Sequence, residues 1–200
     1  VARLLPEIMG AVRRLQREFP LQVFLLRAQN IHAGQLAAAG PEVRVLAQDQ
    51  GYDLLNAADA VITTCGTSNL EAALLGAPFV AVYRINRLTY LLGRRFMRIR
   101  LYSIVNILAG RQVAVELIQG ECRAERIYLE ARELLRDPSR VEAMRLEFKR
   151  IRDSLQQQER PAAIISRQIQ ADLRGNGRTP KPEHIRGSTF DVRCNNKNPT

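Results

Sequence analysis

The sequence predicts an α/β fold built on an open parallel sheet with helices on both faces, followed by C-terminal helices. Three observations carry that expectation. Between residues 2 and 83, helical and extended patterns alternate as α-β-α-β-α-β-α-β, an order that right-handed crossovers wind into a parallel sheet. The extended stretch Leu21–Ala28 (LQVFLLRA) is a nearly continuous apolar run, as suits a strand covered on both faces. Finally, Ala60–Thr64 leads through Cys65-Gly66-Thr67-Ser68 into a helix ending at Gly76-Ala77-Pro78, and a strand, Phe79–Tyr83, follows at once. That strand–turn–helix–strand unit is the building block of nucleotide-binding sheets, and the topology it implies is Rossmann-like.

Taken in order, Leu4, Leu5, Ile8, Val12 and Leu15 hold helical spacing, so a helix is expected from about Ala2 to Glu18, stopped at Phe19-Pro20. The sequence opens inside that helix, with no initiator Met, N-cap or strand ahead of it, and reads as a fragment whose upstream part is missing. Asn30 is a candidate cap for a short helix through Ala39, ended by Gly40-Pro41. Val43–Leu46 is a short strand and Asp49–Ala57 a short helix. Beyond Asn86, Leu88–Phe96 reads as a helix, Tyr102–Gly110 as an extended loop, and Val113–Ile118 as the start of a short helix ending near Gly120. Helices are expected over Ala124–Arg136, Ser139–Gln158 and Pro161–Leu173, with Asp137-Pro138-Ser139 a turn that doubles as an N-cap. Residues 1–173 thus form one domain, and the Gly-, Pro- and Asn-rich basic stretch 174–200 is expected to be disordered.

Composition narrows the function classes. The chain has 200 residues, 46% of them apolar, and a formal charge of +10, which directs attention to nucleic acid or an anionic membrane surface. Its basic residues are mostly Arg and dispersed, and no nucleic-acid motif accompanies them. They concentrate over Arg84–Arg100, where Arg87, Arg94, Arg95, Arg98 and Arg100 alternate with Leu88, Tyr90, Leu91, Leu92, Phe96 and Met97. Such a pattern suits anionic lipid headgroups, or an ordinary solvated helix face. Three distant Cys residues give neither a disulfide framework nor zinc spacing and fit a reducing cytoplasm. No apolar run approaches the roughly 20 residues that span a bilayer, and no signal-peptide pattern is present.

Ligands of open parallel sheets bind at the carboxyl ends of the strands. Here those ends are Ala28-Gln29-Asn30, Thr64–Ser68 and Tyr83-Arg84. The turn at Gly66, Thr67 and Ser68 offers helix-start N–H groups to an anion such as phosphate; it reads equally as a tight turn with a Ser or Thr cap. Glu71, four residues after Thr67, is an acceptor for hydroxyl donors or simply an acidic residue in a first turn. Asn106, among Ile104, Val105, Ile107 and Leu108, needs a hydrogen-bond partner. His32 and His184 are read as non-catalytic, and Cys65 as a small packing residue.

The segments Ala58-Asp59-Ala60, Cys65 to Glu71, Ala77 to Val80 with Tyr83-Arg84, then SIVNILAGR (Ser103–Arg111) and ELIQ (Glu116–Gln119) resemble lipid-A-disaccharide synthase. That family is a group of B-fold glycosyltransferases, and the resemblance covers about Ala2 to Leu173. It implies the C-terminal, UDP-sugar-binding half of such an enzyme. The implied reaction transfers 2,3-diacylglucosamine from its UDP donor to 2,3-diacylglucosamine 1-phosphate, giving the β-1,6 lipid A disaccharide and UDP. Gly66, Thr67 and Ser68 would meet the diphosphate and Glu71 the ribose hydroxyls, with Arg84, Asn106 and Gln119 completing the donor pocket. Arg84 also reads as a surface residue, and Gln119 as a helix-end tether. No metal or cofactor is implied, and the catalytic carboxylate is expected in the absent N-terminal acceptor domain, leaving this part inactive alone. A Gly-Ser-Arg loop expected just before the first helix is absent as well, and the tail matches nothing in the family. The implied location is the inner face of the cytoplasmic membrane, with homo-oligomerisation left open. The competing readings are another UDP-sugar B-fold transferase or epimerase, and a non-catalytic basic module binding membrane or nucleic acid.

Overall fold

The computed structural model describes residues 3–29, 31–85 and 101–157, apart from the side chains of residues 33 and 157. These fall within one compact unit, residues 1–157. The expected helices at Leu88–Phe96 and Pro161–Leu173, the basic stretch from Arg87 to Arg100, the Asn30 cap, His184 and the tail all lie outside the described residues.

The described chain is α/β with parallel strands throughout. Helix α1 (Leu5–Leu15) begins with Pro6 in its first turn, where a missing N–H is harmless. Strands β1 (Phe24–Arg27) and β2 (Arg44–Ala47) flank a 3-10 helix over Ala33–Ala39. A 3-10 turn (Gln48–Gln50) leads into α2 (Gly51–Ala57), then β3 (Val61–Thr64), α3 (Thr67–Leu74) and β4 (Phe79–Tyr83). After residue 100 come α4 (Ile104–Ala109), β5 (Glu116–Ile118), a 3-10 turn (Gln119–Glu121), α5 (Ala124–Arg136) and α6 (Pro138–Gln157).

The strands hydrogen-bond in two groups, β1-β2 and β3-β4-β5. Central strand β4 has Phe79, Val80, Ala81 and Val82 all buried, the mark of a strand covered on both faces. Phe79 stacks on Phe148 of α6, with centroids 5.4 Å apart and planes 10° from parallel. Helix α1 lies against α5, and α3 against α4 and α6. A Cβ on Gly10 of α1 would come within 2.9 Å of the Ala124 Cβ, so the close approach of α1 to α5 depends on that glycine.

Three expectations are corrected. The stretch 102–110 is not extended: it holds α4, ended by Gly110 in the left-handed conformation at φ 66°. Residues 113–118 are not helical, because Glu116–Ile118 pair in parallel with Ala81–Tyr83 as β5. Both departures follow from one nonlocal knot around Asn106 and Glu116, described below. The Leu21–Ala28 run gives only the four-residue β1, half-buried at Phe24–Leu26 and exposed at Arg27. Among the described residues it pairs with β2 alone, and Val23 and Leu25 of the apolar run pack on the α1 cluster.

The helices expected over Ala124–Arg136 and Ser139–Gln158 form as α5 and α6. Asp137 caps α6, its Oδ1 accepting from the Ser139 and Arg140 N–H groups at 3.0 and 3.2 Å. The far end of α1 is tied to α5 by Glu18, which accepts from the Tyr128 hydroxyl and from Arg132 Nε. The Tyr128 hydroxyl first, then Arg132, holds the Glu18 carboxyl below its ordinary range. A carboxylate pKa depressed on folding contributes stability above the unfolded value, and that stability is lost as pH falls through the folded one. In thermal melts between about pH 6 and about pH 3, Glu18→Gln should therefore show a smaller acid-induced fall in Tm than the parent. An equal fall in both would show that Glu18 carries none of the acid sensitivity.

Candidate functional site

Because β3, β4 and β5 are parallel and in register, Thr64, Tyr83 and Ile118 finish at the same edge of the sheet. Three segments leave that edge together: the turn into α3, Arg84, and Gln119.

At the first, Gly66 precedes α3 with an extended backbone, and no side chain caps the helix. The leading N–H groups of α3 are thus left without intrahelical or capping partners. A Cβ built on Gly66 would meet nothing within 4 Å, so the space beside the main chain is open. Thr67 is exposed there. Ser68 does not act as a cap: its Oγ accepts from Thr63 Oγ1 at 3.0 Å and donates to the Thr64 carbonyl at 3.3 Å. Its hydroxyl staples α3 to the end of β3 and leaves the backbone N–H as its contribution to an anion site. Glu71, one turn on, is exposed. Cys65 is inert, because burial first, then Glu116 and Cys122, pushes its thiol up to about 12; it stays protonated at neutral pH, in keeping with a packing role.

Arg84 donates to the Arg3 carbonyl at 2.9 Å and to the Cys122 carbonyl at 2.7 Å, with Glu7 at 3.8 Å. The structure brings it to the right edge and directs those donors to the protein itself. Cys122 adds to the same junction, its thiol donating to the Leu117 and Tyr83 carbonyls at 2.8 and 3.3 Å.

Asn106 is fully buried. Its Nδ2 donates to the Ala114 carbonyl (2.8 Å) and Glu116 Oε1 (2.7 Å), and its Oδ1 accepts from Val113 N (2.7 Å) and Ala114 N (3.0 Å). An amide side chain has two donor hydrogens and two acceptor positions, so Asn106 is saturated by protein. It holds α4 against the chain entering β5. Gln119 is different. It is the one non-glycine residue with positive φ (52°) among those described, and its buried Nε2 has no partner. An unmet buried donor next to a backbone outlier is the arrangement that a bound acceptor would satisfy.

Sequence reasoning missed three members of this neighbourhood. Glu116 accepts from the Tyr102 and Ser103 N–H groups (2.9 and 2.8 Å) as well as from Asn106, capping α4 from a strand that follows it. Its acceptor role has no local signal, since its partners lie 10 to 14 residues away. Asn69, in the first turn of α3, has both amide atoms buried without partners, and so does the Ser103 hydroxyl.

Over residues 1–169 the sequence matches the lipid-A-disaccharide synthetase family. The chain belongs to that family. It is 41% identical over 160 residues to a lipid-A-disaccharide synthase of Geobacter metallireducens, an alignment covering 78% of this chain and 41% of the relative. The synthase of Geobacter sulfurreducens is 38% identical with the same coverage. That of Syntrophus aciditrophicus is 39% identical, over 78% of this chain and 42% of its own length. The chain therefore spans about two fifths of the length of these curated relatives. Every candidate residue from Gly66 to Gln119 lies inside the part matched to the lipid-A-disaccharide synthetase family, and the parallel α/β architecture fits the Rossmann-like half of a B-fold glycosyltransferase.

Proposed function

We propose that this chain is the donor-binding part of a hexosyltransferase of lipid A biosynthesis. The proposed reaction transfers 2,3-diacylglucosamine from its UDP donor to 2,3-diacylglucosamine 1-phosphate, forms the β-1,6 disaccharide and releases UDP. The observation that carries this reading is the uncapped start of α3 at the carboxyl edge of a parallel sheet, open beside Gly66. Backbone N–H groups of Gly66, Thr67 and Ser68 would hold the diphosphate, adding the helix dipole where negative charge grows on the leaving UDP. Glu71 would accept from the ribose hydroxyls, and the unmet Gln119 Nε2 would donate to the nucleotide. Arg84 and Asn106 take positioning roles in this scheme, the first holding the chain beyond Gln119 and the second holding α4. The chain that supplies the acceptor site and the catalytic carboxylate lies, in this reading, outside these residues, so they do not turn over substrate alone.

The acylated substrates call for a membrane surface, which we place at the inner face of the cytoplasmic membrane. No described helix is long and apolar enough to cross a bilayer, and exposed Ile107 and Leu108 on α4 suit peripheral contact with lipid.

A calorimetric titration with UDP tests the reading. Glu71→Ala should weaken binding by about tenfold or more, the worth of hydrogen bonds to a charged acceptor, with no change in Tm because the side chain is exposed. Equal UDP affinity in parent and variant would remove Glu71 from the site. No UDP binding in the parent, together with tight salt-sensitive DNA binding, would favour the basic-module reading instead.

A further inference from the structure

Among the described residues, three side chains bury polar atoms that meet no partner: Asn69, Ser103 and Gln119. Gln119 follows β5 at the carboxyl edge of the sheet. Asn69 and Ser103 are both fully enclosed. Ser103 stands at the N-cap position of α4, yet its hydroxyl makes no capping bond, although a serine there usually accepts from an N–H in the first turn. Asn69, in the first turn of α3, leaves both its amide nitrogen and its amide oxygen unused. A buried polar group without a partner raises the free energy of the folded chain, so two such side chains on neighbouring elements call for a cause.

The two stand on helices that lie against each other, α3 and α4. Burial first, and then the Glu116 charge, pushes up the Cys65 thiol. The carboxylate that accepts from Ser103 N at 2.8 Å therefore also reaches the residue just before Gly66. Asn69 follows Ser68 directly, and Glu71 comes two residues later. The unmet amide thus belongs to the same turn of helix whose leading N–H groups have no capping side chain.

We propose that Asn69 and Ser103 are positioning residues of the donor site, a polar pair that closes into a hydrogen bond when a nucleoside diphosphate seats on the start of α3. The inference rests on the donor-binding reading of that turn. The chemistry of the pair is complementary: the Ser103 hydroxyl can donate to Asn69 Oδ1 or accept from Asn69 Nδ2. Negative charge arriving at Gly66, Thr67 and Ser68 would draw the first turn of α3 toward the phosphates, and a small shift there carries Asn69 with it. Closing the pair strengthens binding, because a ligand gains affinity from whatever its complex satisfies and the free chain does not. The stability forgone in the free chain is then strain held ready for the ligand.

Calorimetric titration of UDP into the full chain, with thermal melts in its absence, tests the pair. Asn69→Leu and Ser103→Ala remove unmet polar atoms and keep much of the shape, so both should melt at or above the parent Tm. Each should nevertheless bind UDP about threefold to tenfold more weakly. The double variant should bind no more weakly than either single one, because the same bond is lost in all three. In the unsubstituted chain, the Asn69 side-chain amide resonances should move downfield on saturation with UDP, a readout that needs no variant to fold. Unmoved resonances, single variants of parent affinity, or losses that add in the double variant would each overturn the pair. A lowered Tm with parent affinity would overturn it too, in favour of an internal water bridging the two helices. If the parent binds no UDP, the donor-binding reading fails and the pair with it. UDP binding by the parent that Asn69→Leu leaves intact removes the pair alone.

Discussion

Asn106→Ala is expected to lower the unfolding free energy by about 3–5 kcal/mol, because each buried group stripped of its partner costs about 1–3 kcal/mol. Four bonds are lost at once: those to Val113 N, Ala114 N, the Ala114 carbonyl and Glu116. Against a typical total of about 5–15 kcal/mol, this leaves a chain near the edge of folding. Urea unfolding of parent and variant measures the difference, and a loss below about 1 kcal/mol would show that the knot relaxes or admits water. Asn106→Asp separates geometry from mere polarity. It keeps both acceptor positions and loses the donors, setting a second carboxyl against Glu116. That variant should also be destabilised, and increasingly so as pH rises through the carboxylate range.

Phe148→Ala should rank beside it, at about 3–5 kcal/mol, the usual range for deleting a buried aromatic ring. Phe148 is 1% exposed and stacked on Phe79, so its removal opens a void between α6 and the central strand. Phe148→Leu should recover most of the loss, because shape-tolerant apolar replacement usually costs less than about 1.5 kcal/mol. Leu146→Ala, two residues earlier and 49% exposed, serves as the control and should stay within about 0.5 kcal/mol. If the Phe148 and Leu146 variants lost equal stability, α6 would contribute through helix propensity rather than through docking on β4.

Where the sequence was legible, the deciding chemistry was local. The unit from Ala60 to Tyr83 was readable because an apolar run, a Gly turn and a Gly-Ala-Pro stop succeed one another within a few residues, and β4 has the bounds expected of it. Helix α5 likewise starts and stops where its own periodicity and the Asp137 cap dictate. Residues 102–118 were misread because their structure is decided elsewhere. The carboxylate that caps α4 belongs to Glu116, and β5 exists by pairing with Ala81–Tyr83. The need of Asn106 for a partner was visible in its apolar setting, whereas the saturation of that need by protein was not. At the site, the Gly66 turn was legible as a helix start. The engagement of Arg84 was not, since its acceptors at Arg3 and Cys122 lie 81 and 38 residues away in sequence. Glu71 gives no such surprise, standing exposed where an acidic residue one turn into a helix should stand.

The junction at Glu7 has a mechanical side. One carboxylate oxygen accepts from Ala124 N at 2.9 Å, and the other faces the Arg84 guanidinium that grips the Arg3 and Cys122 carbonyls. Helix α1, the end of β4 and the start of α5 are therefore pinned at one point, three residues from Gln119. A force tilting the front of α1 would be transmitted through that pin as a lever, displacing the loop that bears the unmet amide. The stiffness of that loop is therefore tied to how firmly the front of α1 is held.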